Sequence, residues 1–195
     1  MIDVPHIRNI TISGRIGSGQ TTLATKLAEK LEWKLLEGGE LFRKFHEEKM
    51  NDTSELAVGD RPDSFDLEYE ESIKKILRES THNIIQSHLA GFDAQQLPGI
   101  FKILVTCEDT QGNDKKEIRI DRLVNRREIS IEKAKQEIHD REAANLKKWR
   151  NLYAKGDQHW VYWDKKYYDL VINTYNHNAE DTLNIALTAL QNKKA

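Results

Sequence analysis

The stretch Ile10-Thr11-Ile12-Ser13-Gly14-Arg15-Ile16-Gly17-Ser18-Gly19-Gln20-Thr21-Thr22 decides the fold. A short β-branched apolar segment runs into a loop with glycines at 14, 17 and 19. An amphipathic helix pattern comes next, with Leu23, Leu27 and Leu31 on one stripe beside Ala24 and Ala28. Strand, glycine loop and helix in this order predict a phosphate-binding turn. The spacing from Gly14 to Gly19 fits G-x-x-x-x-G-K-[ST], with Gln20 standing where the lysine belongs. Gly17 and Gly19 let successive backbone N–H groups turn inward on an anion, and the helix N-terminus adds its partial positive charge. The hydroxyl of Thr21 falls where a magnesium ligand is required. A glutamine amide offers neutral hydrogen bonds about half as strong as the charge-assisted bonds of a lysine. Another cation must therefore compensate if chemistry happens at this loop.

Composition bounds the rest. At 195 residues the chain suits one ordinary domain with a real core. Its formal net charge is −2 with 32% charged residues, so no global positive field recommends nucleic acid as a partner. The single cysteine, Cys107, lies in an apolar run and excludes an internal disulfide, which suits a reducing cytoplasm. The N-terminal region carries no apolar run of signal type, and no apolar stretch is long enough to span a bilayer. The expectation is a cytoplasmic, monomeric protein with no membrane partner.

Working outward, residues 33 to 37 read as a second strand, and Gly38-Gly39 breaks it before a helix starting near Glu40 and including Leu41, Phe42 and Phe45. Residues 50 to 65 are loop-rich, with Asn51, Asp52, Gly59 and Pro62, and a loop of this length inside a compact domain is usually functional. A helix is predicted over 66 to 80, burying Leu67, Ile73, Ile76 and Leu77. Residues 82 to 86 form a third strand ending in Ser87-His88-Leu89-Ala90-Gly91-Phe92, and 100 to 107 the strongest one. A surface loop over 108 to 115 precedes two helices, 116 to 127 and 130 to 153, the second capped by Ser130. Residues 169 to 173 form the last strand, and a closing helix starts near Asn178 with Leu183, Ile185, Ala186, Leu187 and Leu190 inward; residues 191 to 195 fray. Strands alternating with helices predict a parallel sheet covered on both faces, with ligands at the carboxyl ends of the strands.

Arg119, Arg122 and Arg126 recur at i, i+3 and i+7 on one helix face with Arg127 beside them, and Arg141 and Lys148 lie two turns apart with Asn145 between. Arginines converging on phosphates are what phosphoryl transfer requires. Equally, each could be a solvated residue paired with Glu117, Asp121, Glu128, Asp140 or Glu142. His46, His139, His159 and His177 have no metal-ligand spacing and read as surface residues, and Trp149, Trp160, Tyr162 and Trp163 read as packing or an interface.

With these residues in hand, the chain resembles the compact, archaeal-type cytidylate kinases, nucleoside monophosphate kinases of the P-loop fold. The anchors are residues 10 to 22, Leu27-Ala28-Glu29-Lys30-Leu31, Gly38-Gly39-Glu40-Leu41-Phe42-Arg43, Leu89-Ala90-Gly91-Phe92, Arg126-Arg127-Glu128, Arg141-Glu142 and residues 168 to 174. The resemblance implies a three-layer α/β/α P-loop NTPase fold with a five-stranded parallel sheet. It implies one kinase domain over 1 to 195, with a monophosphate-binding flap at about 50 to 66 and a short helical lid at about 116 to 153. It also implies transfer of the ATP γ-phosphoryl group, with Mg2+, to CMP or dCMP. Gly14, Arg15, Ile16, Gly17, Ser18, Gly19, Gln20, Thr21 and Thr22 would bind ATP, with Thr21 on the metal. Arg43, Asp66 and His88 would face the acceptor nucleotide. Arg126, Arg127, Arg141 and Lys148 would close over the transferring phosphate. Three positions depart from the group: Gln20, His88 where a Gly-Arg-Leu-Ala-Gly pattern has arginine, and Lys148 in place of a lid arginine, which keeps the charge and loses the bidentate fork. The alternatives are a kinase of the same fold for another acceptor such as UMP, and a catalytically weak nucleotide-binding regulator.

Overall fold

The computed structural model describes residues 4–50 and 62–193. Five parallel strands form one sheet: β1 (Asn9–Gly14), β2 (Lys34–Glu37), β3 (Asn83–Gln86), β4 (Ile100–Thr106) and β5 (Leu170–Asn173), in the order β2-β3-β1-β4-β5. β1 lies at the centre because every residue of it is buried, flanked by β3 and β4 in register from Asn9↔Asn83 and Asn9↔Ile100. Chain order reverses on either side of β1. Its carboxyl end is therefore the switch point where an open parallel sheet forms a crevice.

Alternation along β1 feeds two cores. Ile10 and Ile12 join Leu23, Leu27 and Leu31 of α1 (Gln20–Leu31) and Leu183, Leu187 and Leu190 of α8 (Ala179–Gln191) on one face. On the other face Ser13 Oγ accepts from the Gly91 N–H of α4 (Ala90–Asp93), and Ile85 packs with Tyr69, Ile73 and Leu77 of α3 (Asp63–Glu79). The α/β/α layering is that expected from the sequence. α2 (Gly38–Met50) starts directly at the end of β2, so the Gly38-Gly39 pair opens the helix rather than preceding it. A Cβ on Gly38 would lie 2.5 Å from the Cβ of Ser87, which is why that turn takes glycine.

Several expectations are corrected. Asp63 starts α3, ahead of the expected 66, and Leu67 on it is 47% exposed while Tyr69, Ile73 and Leu77 fill the core. His46 is only 4% exposed and its ring meets Phe65 edge-on, so it is not a surface residue. The helix expected over 130 to 153 is α6 (Ile131–Gln136), a π-helical turn (Glu137–Arg141) and α7 (Glu142–Ala154). Ser130 caps α6 as expected, its side chain accepting from Lys133 N–H. Residues 51–61, most of the expected flap, lie outside the described residues, as do 194 and 195. Among the described residues no helix is long and apolar enough to cross a membrane.

Candidate active site

The glycine loop hangs from the carboxyl end of β1. Gly17 and Gly19 have φ of 77° and 103°, and Ser18 N–H closes a turn on Arg15 O at 3.0 Å. This conformation leaves the N–H groups of Gly17, Gly19, Gln20 and Thr21 with no backbone acceptor, at the N-terminus of α1. The result is a concave set of donors sized for an anion. Gln20 is 7% exposed, and its Oε1 lies under the loop towards Gly14 without a hydrogen-bond partner. The glutamine therefore fills the loop instead of reaching over it.

α5 (Lys116–Arg127) brings its arginine face across the loop. Arg126 donates from Nη1 to Thr21 Oγ1 at 3.1 Å. Burial depresses the Arg126 pKa, and the charge of neighbouring Arg127 adds to the effect, so a phosphate anion beside it relieves an unfavourable environment. Arg122 donates from Nη2 to Thr174 O at 2.9 Å and from Nη1 to Thr174 Oγ1 at 2.8 Å, and Thr174 in turn contacts Ser18 O at 2.8 Å. Arg119 has no exposed surface, and its Nη1 donates to Ile16 O at 2.6 Å and to Glu142 Oε1 at 2.7 Å. The Ile16 N–H donates to the same Oε1 at 3.1 Å, and Arg15 pairs with Glu142 and Asp114 while lying over the Trp163 ring. Burial works to raise the Glu142 carboxyl, but Arg119 and Arg15 outweigh it and hold it below the ordinary range.

The other expected lid residues divide. Arg141 is exposed and carries no ion pair among the described residues. Arg127 forks onto Glu137, at 2.8 and 2.7 Å, away from Thr21. Lys148 lies 2.5 Å from Asp66 Oδ2 and 3.8 Å from Asp63, so an expected catalytic residue and an expected acceptor residue meet and join α7 to α3. Arg43 is exposed on α2. His88 Nδ1 contacts Gly14 O at 2.8 Å, which makes that nitrogen the donor, and its ring packs near Trp149 and Tyr162. Burial lowers its pKa and Arg141 adds to this, keeping the imidazole neutral.

Sequence reasoning singled out the spacing of Arg119, Arg122 and Arg126 but did not separate their tasks. It missed Thr174 and Asp114 as supports of the loop. Glu142 appeared as one of five acids near the arginines and in the Arg141-Glu142 anchor of the resemblance, but without a role of its own. Among the described residues no group of three or more His, Cys, Asp or Glu side chains could hold a metal ion.

A model of the cytidylate kinase-like family matches residues 9–176. The chain is 30% identical to a cytidylate kinase of Methanopyrus kandleri over 189 residues, covering 93% of this chain and 92% of that one. It is 28% identical to a cytidylate kinase of Methanosarcina barkeri over 183 residues, covering 93% and 95%. Among solved structures, an uncharacterized protein from Eubacterium ventriosum superposes with a TM-score of 0.69 at 15% identity over 95% of this chain and 99% of that one. Shikimate kinase from Acinetobacter baumannii does so with a TM-score of 0.51 at 18% identity, over 95% and 92%. These two share the fold. With a family match across most of its length and a glycine loop faced by arginines, the chain belongs to the cytidylate kinase-like family and is a phosphotransferase.

Proposed function

We propose that the protein transfers the γ-phosphoryl group of ATP to CMP or dCMP, giving ADP and the corresponding diphosphate. The observation that carries this reading is Arg126 on Thr21, above a loop whose N–H groups at Gly17, Gly19, Gln20 and Thr21 lack backbone acceptors. Residues 14 to 22 hold the donor phosphates, and Arg126 brings the charge that Gln20 cannot. Arg141, without an ion pair among the described residues, closes over the transferred group. Arg127 and Lys148 would join it by exchanging Glu137 and Asp66 for phosphate oxygens. Arg43, Asp66 and His88 form the acceptor side. The acceptor is already an ionised phosphate oxygen, so positioning and charge neutralisation suffice.

Magnesium fits this donor set. Mg2+ is commonly held by one or two protein oxygens together with phosphate oxygens and water, and Thr21 Oγ1 supplies such an oxygen at the loop. When bound, the ion neutralises charge between the donor phosphates. The absence of a carboxylate cluster among the described residues agrees with an ion that arrives with the nucleotide.

One observation bears on the acceptor. His88 donates to Gly14 O where the resemblance implies an arginine, so the second reading is a kinase of the same fold for another monophosphate such as UMP. The test is ADP formation from ATP and Mg2+ with CMP, dCMP, UMP, AMP and GMP offered separately. Selective turnover of CMP or dCMP is expected. Preference for UMP would establish the second reading, and turnover of none would overturn both.

A further inference from the structure

We propose that Glu142 is a positioning residue that holds the phosphate loop in its anion-binding shape from the lid side. The inference rests on the reading of that loop as the donor-phosphate site. The geometry is specific. One buried carboxylate oxygen accepts from both the Ile16 N–H of the loop, at 3.1 Å, and Arg119 Nη1, at 2.7 Å, and the same Arg119 nitrogen donates to Ile16 O at 2.6 Å. The peptide groups on both sides of Ile16 are thus fixed by one ion pair. The other oxygen accepts from Arg15 Nη2 at 2.8 Å, so the residue before Ile16 is held as well. With Ile16 N–H taken up by Glu142 and Ser18 N–H by Arg15 O, the N–H groups of Gly17, Gly19, Gln20 and Thr21 remain without backbone acceptors at the loop.

The position of Glu142 in its own element explains how the carboxylate gets there. It is the first residue of α7, directly after the π-helical turn Glu137–Arg141. A π turn adds a residue to the helical repeat and rotates the residues after it about the axis. Arg141 thereby points to solvent while Glu142, its neighbour, is buried against the loop. Any displacement of α7 is transmitted to Ile16, and the loop in turn fixes where Arg141 starts its approach.

The test separates positioning from simple stability. Glu142→Met alone leaves Arg119 short of a counter-charge and is expected to fold poorly, so the informative protein is the double variant Arg119→Met/Glu142→Met, which removes both charges. Replacing a buried ion pair with apolar groups of similar volume is often neutral to stability. Two readouts apply, amide hydrogen exchange at Ile16 without ligand and equilibrium binding of ADP with Mg2+. In the double variant, Ile16 exchange rises about tenfold or more, with residues 27 to 31 still protected. ADP affinity falls about tenfold or more, because the loop is no longer preorganised. Glu142→Gln retains an acceptor for Ile16 N–H but not the counter-charge for Arg119 and Arg15, and is expected between the parent and the double variant in both readouts. A double variant that melts like the parent and keeps its Ile16 exchange or its ADP affinity overturns the proposal. So does a Glu142→Gln protein as impaired as the double variant. A parent protein that binds no ADP, while Ile16 exchange still depends on Glu142, would sink the functional reading and leave the clamp standing.

Discussion

Gly17 meets two constraints at once. Its φ of 77° lies in the left-handed region, and a Cβ there would sit 2.5 Å from the carbonyl oxygen of Arg119. The positive φ alone costs an alanine about 1–2 kcal/mol, and the contact with α5 adds to it. Gly17→Ala is expected to lower thermal stability and to reduce ADP affinity in the folded protein; a variant with parental binding would show that the loop tolerates a shifted α5. A second residue-scale prediction concerns Glu70, buried on α3 against Asp93 of α4, with Lys74, Asp66, Tyr69 and Tyr153 of α7 around it. Burial first, and then the charge of Asp93, push its pKa well above the ordinary 4.5. The folded state therefore keeps a proton that the unfolded chain releases. Stability falls as pH rises from that ordinary value towards the raised one. Glu70→Gln keeps the shape and removes the titration, so its melting temperature should decline less than that of the parent between about pH 5 and pH 8. Parallel declines would mean that another group carries the dependence.

At the level of elements, the capping signals act locally and are independent of the loop. Asn178 accepts from Glu180 and Asp181 N–H at the start of α8, which covers one face of the sheet. Asn178→Ala should cost about 1 kcal/mol, read as a melting point lower by about 2–4 °C, with ADP affinity unchanged. Weakened ADP binding would instead tie the start of α8 to the site. The same locality explains what could be read in advance. β1, the glycine loop, α1, the cap at Ser130 and the start of α8 near Asn178 are set by neighbouring residues. Hydrophobic period and turn chemistry therefore sufficed for them. Leu67, His46 and the π turn could not be read this way. Leu67 continues a helical apolar stripe, yet Phe65 and Tyr69 reach the core and leave it outside. His46 is buried because Phe65 of α3, distant in sequence, packs against its ring. The π turn costs one register step that sequence spacing does not reveal. In the site, the arginine period gave the face that crosses the loop. The division between Arg119 in a buried ion pair, Arg122 on Thr174 and Arg126 on Thr21 depends on partners far apart in sequence.

For the whole molecule, these contacts predict the order in which ligands act. Thr21 Oγ1 already accepts from Arg126, and no acidic cluster among the described residues waits for a cation. On the proposed reading, Mg2+ by itself would find at the loop only the Thr21 hydroxyl, which Arg126 already engages. On the same reading a nucleoside triphosphate would change both conditions, because its phosphates would draw Arg126 onto themselves and supply the remaining oxygens for the ion. Mg2+ alone should leave the melting temperature unchanged. ATP with Mg2+ at about a hundred times its dissociation constant should contribute about 2.7 kcal/mol and raise the melting point by about 5–10 °C for a chain of this size. ATP with a chelator should fall between the two. If Mg2+ alone stabilised the protein as much as the complex does, the metal would have a site of its own, and Thr21 would not be its anchor. If ATP stabilised equally with and without Mg2+, Arg126 and the loop amides would carry the phosphates unaided, and the ion would act on the transfer step alone.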